Sequence, residues 1–182
     1  MNKLFSFLFG AIILLGLTQA LSSCDSDDGI DPLAIKSINV DYSVTLNQLT
    51  FDFYDVEVRY RNERGEAITF NLTEPKVWAY SFSLPPEKAP RDYAFIVTLT
   101  PKKDHPEIES GQRYVFEKDI KCEFYSLRNN GELFRELSSD LHPVNISASG
   151  DDTYSSDNLW TAMTSGHTRH LVDFHVQWDG KY

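Results

Sequence analysis

From residue 35 onward the chain alternates apolar and polar side chains with a period of two, and no other feature constrains its fold as strongly. Ile38, Val40, Tyr42, Val44 and Leu46 alternate with Asn39, Asp41, Ser43 and Thr45, the pattern of a strand with one wet face. Leu49, Phe51 and Phe53 keep the odd parity, and Tyr54, Val56, Val58 and Tyr60 take the even one. The change of phase predicts a bulge in one long strand or a strand that crosses between sheets. The run Arg61-Asn62-Glu63-Arg64-Gly65-Glu66 reads as a charged turn with glycine supplying positive φ. Ile68, Phe70 and Leu72 then alternate again, which makes a hairpin.

The pattern recurs along the chain. Trp78, Tyr80, Phe82 and Leu84 form a stripe that ends at Pro85-Pro86, where a central strand cannot continue. Tyr93, Phe95, Val97 and Leu99 follow, then a polar loop over residues 102–111. Tyr114, Phe116, Ile120, Cys122 and Phe124 share one parity that Lys118 interrupts. Asn129-Asn130-Gly131 is the strongest hairpin signal, of type I′, with residues 133–137 as the returning arm. Residues 144–147 read as a short extended piece, 157–163 as one helical turn, and His170, Val172, Phe174, Val176 and Trp178 as a last strand. About eight strands (seven to nine) joined by turns predict an all-β fold, a single antiparallel β-sandwich of immunoglobulin-like kind. An up-and-down barrel is the alternative, disfavoured by uneven strand and loop lengths.

The chain has 182 residues with 17 basic and 27 acidic side chains, a net charge of −10. The length suits one core, and the acidic balance argues against a nucleic-acid partner because nothing offsets phosphate repulsion. Two cysteines exclude a disulfide scaffold. The N-terminus carries an address. Residues 4–21 are apolar or small, follow Lys3 and end at Leu21-Ser22-Ser23-Cys24. The run is borderline for a membrane span, and its basic head and small-residue end make it a signal peptide. Leu-Ser-Ser-Cys resembles the lipobox of bacterial lipoproteins, in which the cysteine thiol takes a diacylglyceryl group and becomes the first residue of the mature chain. The resemblance implies a signal peptide over 1–23, lipidation at Cys24, a tether over 24–32 and a sandwich domain over 33–182. The alternative is a plain secretory signal with an incidental cysteine. Several acyl chains on one residue hold a soluble domain at a bilayer, whereas a single chain binds marginally.

The segment Asp25-Ser26-Asp27-Asp28-Gly29 resembles the acidic export tag of Bacteroidetes surface lipoproteins. It implies an outer-membrane, surface-exposed location, with the inner leaflet as the alternative, and a solvated tether would have the same composition. A calcium loop does not fit, because the carboxylate spacing is wrong and no glutamate closes it. The chain as a whole resembles the small β-sandwich lipoproteins that Bacteroidetes encode in great number. That resemblance covers architecture and names no activity.

Chemistry leaves few marks on the sequence. His167, His170 and His175 lie close together with Asp173, but along a regular strand His170 and His175 point to opposite faces and cannot share an ion without a break. No zinc spacing is present, so no metal and no cofactor is expected. A Gly-x-Ser-x-Gly elbow and a phosphate loop are both missing. Cys122 sits in a core parity and reads as an inert thiol. No carboxylate pair is marked in the linear sequence, so no catalytic residue is assigned. Trp78 and Trp178 have core parity. Tyr125 is out of phase with its strand, and Tyr154 and Trp160 fall in a long Ser/Asp/Thr-rich connection over residues 150–166. These three aromatics are the candidate ligand contacts.

The function this implies is a non-catalytic binding or accessory module, tied to the membrane through its lipid and meeting a glycan or another outer-membrane protein. A hydrolase with an unrecognised site and a self-assembling, pilus-like or sheet-edge component are the alternatives. Mass spectrometry of protein extracted from membranes is expected to find an acylated N-terminal Cys24, and Cys24→Ala to abolish the acylation. A soluble product starting at another residue would contradict the lipobox reading.

Overall fold

The computed structural model describes residues 30–134 and 144–177. The apolar leader, Cys24 and the acidic segment lie outside these residues, as do positions 135–143 and Trp178. The elements run β1 (Ile35–Leu46), α1 (Gln48–Phe53), β2 (Tyr54–Arg61), β3 (Ala67–Leu72), β4 (Trp78–Leu84), β5 (Asp92–Pro101), β6 (Arg113–Arg128), β7 (Leu133–Phe134), β8 (Val144–Ser155), α2 (Ser156–Ser165) and β9 (Arg169–Gln177). Two antiparallel sheets face each other. One has the order β4-β1-β6, with β7 and β8 sharing the far edge of β6, and the other has the order β3-β2-β5-β9. An all-β sandwich is the fold. The sheet β3-β2-β5-β9 facing β4-β1 reproduces the immunoglobulin order C′-C-F-G facing E-B. The departure is β6, which takes the first strand's place beside β1 but enters the chain between β5 and β9.

The phase change at Phe53 is a passage between sheets. Leu49, Phe51 and Phe53 do not continue a strand; they belong to α1. Asn47 starts it, its Oδ1 accepting from Thr50 N at 3.3 Å and Thr50 Oγ1 at 3.1 Å, while its Nδ2 donates to the Val115 carbonyl at 2.8 Å. The short helix turns the chain from β1 in one sheet to β2 in the other and buries Phe51 and Phe53 as it does so. The β2–β3 hairpin is present, with Gly65 at φ 74°. The second hairpin is present in a different form. Gly131 N donates to the Arg128 carbonyl and Arg128 N to the Glu132 carbonyl, both at 2.9 Å. Asn129, Asn130 and Gly131 therefore form a three-residue loop with its positive φ on Gly131, and not a two-residue type I′ turn.

Three further expectations change. β8 extends from Val144 to Ser155, far beyond the short piece predicted, and its small and acidic residues hide it from an apolar-alternation criterion. The helical turn is a ten-residue helix, α2. In β9 the register shifts so that Val172 pairs with Val97 and His170 with Thr98. Leu171 is thus an extra residue, and His170 leaves the apolar parity and joins Asp173 and His175 on the outer face. The last strand pairs with β5, which ties it to the middle of the chain.

Aromatic rings from both sheets fill the space between them. Tyr42 of β1 stacks on Phe95 of β5 at 4.8 Å between centroids, and Tyr93 meets Phe124 at 4.6 Å. Phe53 and Tyr54 pack edge-on against Phe116 at 6.0 and 5.7 Å. Phe95, Val97, Phe116 and Phe174 are buried, while Trp78 on the edge strand β4 is only partly covered. Cys122 is fully buried on β6, across from Tyr42 and Ile146, and burial pushes its thiol up to about 12. Among the described residues the buried Tyr42 hydroxyl has no hydrogen-bond partner.

Two substitutions test this packing by urea unfolding of the full chain. Phe95→Ala is expected to cost about 3–5 kcal/mol, because a central ring is lost and a cavity remains. Tyr42→Phe is expected to be neutral or stabilising by up to about 1 kcal/mol, because it removes an unpaired buried hydroxyl and no contact. A large loss in the second variant would mean that the hydroxyl is bonded after all.

Candidate functional site

Lys118 of β6 and Asp152 and Tyr154 of β8, inward positions near the α2 end of these strands, build a charged cluster between the sheets. Lys118, the residue that breaks the apolar parity of β6, points inward with Phe116 and Ile120. Its Nζ donates to Asp152 Oδ2 at 2.7 Å. Arg169, which opens β9 in the opposite sheet, donates to the same oxygen through Nη2 at 2.6 Å. Its Nη1 donates to the hydroxyl of Tyr154. The Tyr154 ring packs edge-on to Phe116 at 5.6 Å. Burial alone would push the Asp152 carboxyl up, but hydrogen bonds from Lys118 and Arg169 outweigh it and hold the carboxyl below its ordinary range. Burial, with Tyr154 next, pushes the nearby Tyr54 phenol up to about 12. The cluster joins β8 to β9 at the edge where the two sheets would otherwise part.

Tyr154 is therefore a strand residue committed to a clamp, not a free loop aromatic. Trp160 has the opposite character. The helix that carries it is pinned at both ends: Ser155 Oγ accepts from Asn158 N at 3.3 Å, and Gly166 closes it at φ 63° with its N–H on the Met163 carbonyl. Ser156 N donates to the Gln112 carbonyl at 3.1 Å, and Ser156 Oγ accepts from Gly111 N at 3.1 Å. Leu159 and Met163, four residues apart on one face, are buried. Trp160 projects away from them and is 57% exposed, beside Asp157, Thr161 and Thr164, which are exposed as well.

Tyr125 lies elsewhere. It occupies the outer face of β6 opposite Asn39, where burial and then the negative charge of Asp41 raise its phenol. Tyr154 pairs with Tyr114, eleven positions down β6 from Tyr125, a separation of about 36 Å at the usual strand rise. The three sequence candidates do not form one platform. The residues that sequence reading missed are Lys118, Asp152 and Arg169. Lys118 was visible as a break in parity, but its partners sit in strands whose small or bulged residues concealed their phase.

Other constellations are modest. His175 Nε2 and Asp173 Oδ1 are 3.2 Å apart on the solvated face, and His170 Nδ1 meets Thr98 Oγ1 at 3.1 Å. Among the described residues no three His, Cys, Asp or Glu side chains gather to hold a metal ion. Glu117 and Asp151 are cross-strand partners beside a shallow hollow of about 310 Å³, lined also by Thr45, Leu46, Asn47, Lys118 and Asp119. Among the described residues no aromatic ring lines it.

The sandwich has two distinct ends. At one, residues 31–34 are held to the β6–β7 turn: Asn129 Nδ2 donates to the Asp31 carbonyl at 2.8 Å, and Asn129 N to that of Ala34 at 3.0 Å. At the other, α2 begins beside Arg113, the first residue of β6. β6 has sixteen residues, about 50 Å of strand, and it separates the incoming chain from the start of α2. Among the described residues no helix is long and apolar enough to cross a membrane. No protein-family model, no curated protein and no solved structure matches this chain.

Asp152→Ala is expected to destabilise the fold by about 1–2 kcal/mol, a loss tempered by partial exposure, since it leaves Lys118 and Arg169 facing each other unpaired. Because the Asp152 carboxyl is lowered in the folded state, its contribution is present above the ordinary carboxylate pKa and fades as pH falls through the lowered one. Urea midpoints for wild type and variant should converge at acid pH; a constant gap would contradict the clamp.

Proposed function

We propose that the chain is a lipid-anchored outer-membrane protein, exposed at the cell surface, whose sandwich is a non-catalytic binding module that meets another envelope protein through Trp160. The observation that carries this is the indole itself: a large apolar side chain, more than half exposed, held on a helix capped at both ends. Such rigid aromatics supply a large share of binding energy when a partner encloses them. Its place supports the same reading. If Cys24 carries the anchor, the chain enters the domain at the end holding Asp31 and Asn129, and Trp160 stands at the far end, directed away from the membrane.

A protein partner is favoured over a glycan. Sugar recognition by stacking needs a flat group of aromatics, and Trp160 sits alone on a convex helix with Tyr125 remote and Tyr154 engaged by Arg169. The hydrolase alternative finds little support, because among the described residues no sugar-stacking ring lines the hollow beside the cross-strand pair Glu117 and Asp151.

The test is quantitative capture from outer membranes, using full-length wild type and Trp160→Ala as paired baits. Trp160→Ala is expected to lower affinity for the captured partner by about thirtyfold, the size of a hot-spot loss of about 2 kcal/mol, with an unchanged thermal midpoint. Equal capture by the two would contradict the assignment of the site. Binding on a glycan array that is abolished by Trp160→Ala would replace the protein partner with a sugar.

A further inference from the structure

The sandwich has two lateral sides, and they differ in chemistry. On one, β8 and β9 form the edges, and both carry charge: Asp151 and Asp152 in β8, Arg169 and Asp173 in β9. Charges on an edge strand discourage pairing with another chain. On the other side the edges are β3 and β4, with sequences Ala-Ile-Thr-Phe-Asn-Leu and Trp-Ala-Tyr-Ser-Phe-Ser-Leu. Neither has a charged residue or a proline. β4 is a seven-residue strand whose register with β1 runs without a break from Val44↔Trp78 to Ile38↔Leu84. Its inward stripe of Trp78, Tyr80, Phe82 and Leu84 is only partly buried, because among the described residues no strand lies beyond it. Within β4 itself neither charge, proline nor bulge guards the edge.

We infer that β4 is a dimerisation edge, where a second copy of this chain adds its own β4 antiparallel about a two-fold axis through Ser81. The strand is complementary to itself in that register. Trp78 would face Leu84 of the partner subunit, and Tyr80 would face Phe82 of the partner subunit, all on the apolar side. On the outer side Ala79 would face Ser83 of the partner subunit, and the two Ser81 residues would face each other. No pair sets like charges together. The flanks complement each other too. Glu74 and Lys76 precede the strand and Glu87 and Lys88 follow it, so an antiparallel copy brings one acid and one base toward each end. The chain's acidic surplus touches the stripe at the β2–β3 turn, where the Tyr80 hydroxyl donates to the Glu63 carboxylate. An interface of this kind is isologous and closes at two copies.

The pairing has a directional consequence, which rests on the proposed anchoring although the pairing does not. Antiparallel β4 strands point the two N-terminal ends in opposite directions. Copies anchored through Cys24 would therefore pair from two facing surfaces and not side by side in one membrane.

The test uses the detergent-solubilised full chain. Light scattering is expected to give twice the protein mass at high concentration and the single mass on dilution. Ala79→Lys with Ser83→Lys is expected to shift the dissociation midpoint to at least about tenfold higher concentration, since it sets lysine pairs across the two-fold, with the thermal midpoint confirming a folded chain. Independently of that variant, Ser81→Cys is expected to form an intermolecular disulfide at least about tenfold faster than Ser147→Cys on the opposite side, because the paired edge holds the two thiols at high effective concentration. A single mass at every concentration, with both cysteine variants cross-linking equally slowly, would overturn the inference. So would a dimer indifferent to the lysines, an open series of higher masses, or a monomer whose β4 is occupied by a strand of another protein.

Discussion

Everything in this molecule depends on two sheets being held together by aromatic rings that meet between them. Tyr42 on Phe95 and Tyr93 on Phe124 are contacts between sheets, and Phe53, Tyr54 and Phe116 repeat the arrangement at the lower end. Rings bury more area per residue than aliphatic side chains, which lets one modest domain build an adequate core without a disulfide. The cost is polar: phenols enter the core with the rings, and among the described residues the Tyr42 hydroxyl finds no partner. The seam ends differently on its two sides. Toward β8 and β9 it is closed by the Lys118–Asp152–Arg169 cluster, and toward β3 and β4 it runs out into half-covered Trp78, Tyr80 and Phe82. One side is sealed with charge and the other left apolar, and the proposed dimer edge follows from that asymmetry.

The same framework sets the two ends. α2 can hold Trp160 outward because Leu159 and Met163 are drawn into the seam below it. The chain enters at the other end, fastened to Asn129 and Asn130. Long strands between them turn a sequence separation into a spatial one. A tip remote from the incoming chain is a physical property of the sandwich, and the functional reading draws on it.

Much of this was legible in the sequence where both faces of a strand differ in polarity. β1, β5 and β6 show their alternation plainly, and the β2–β3 hairpin announces its turn. The candidate site was harder to see. β8 reads as a linker because its inward positions include Ala148, Gly150 and Asp152, small or charged residues that suit an edge and defeat an apolar pattern. The extra residue Leu171 reverses the face of His170, which no period-two reading can foresee. α1 reads as strand because Leu49, Phe51 and Phe53 fit alternation as well as they fit a single turn. Trp160 was found as an exposed aromatic, but its helix was underestimated because Ser, Thr and Asn dilute the helical period. Tyr154 was found for the wrong reason, as a free ring when it is part of a clamp.

The most direct measurement of the aromatic seam is an alkaline titration that follows tyrosinate absorbance and circular dichroism together. Burial raises the phenols of Tyr42 and Tyr60, and pushes Tyr54, Tyr80 and the Cys122 thiol up to about 12. A group raised in the folded state keeps its proton where the unfolded chain loses it. The stability it contributes is whole below the ordinary tyrosine pKa of about 10 and is lost as pH rises from there through the folded value. The account predicts that a large fraction of the nine tyrosines stays unionised beyond that ordinary value, then ionises in one step with the collapse of the strand signal. If all the tyrosines titrate as one population at the ordinary value while the strand signal stays intact, the seam is open to water and the account is wrong.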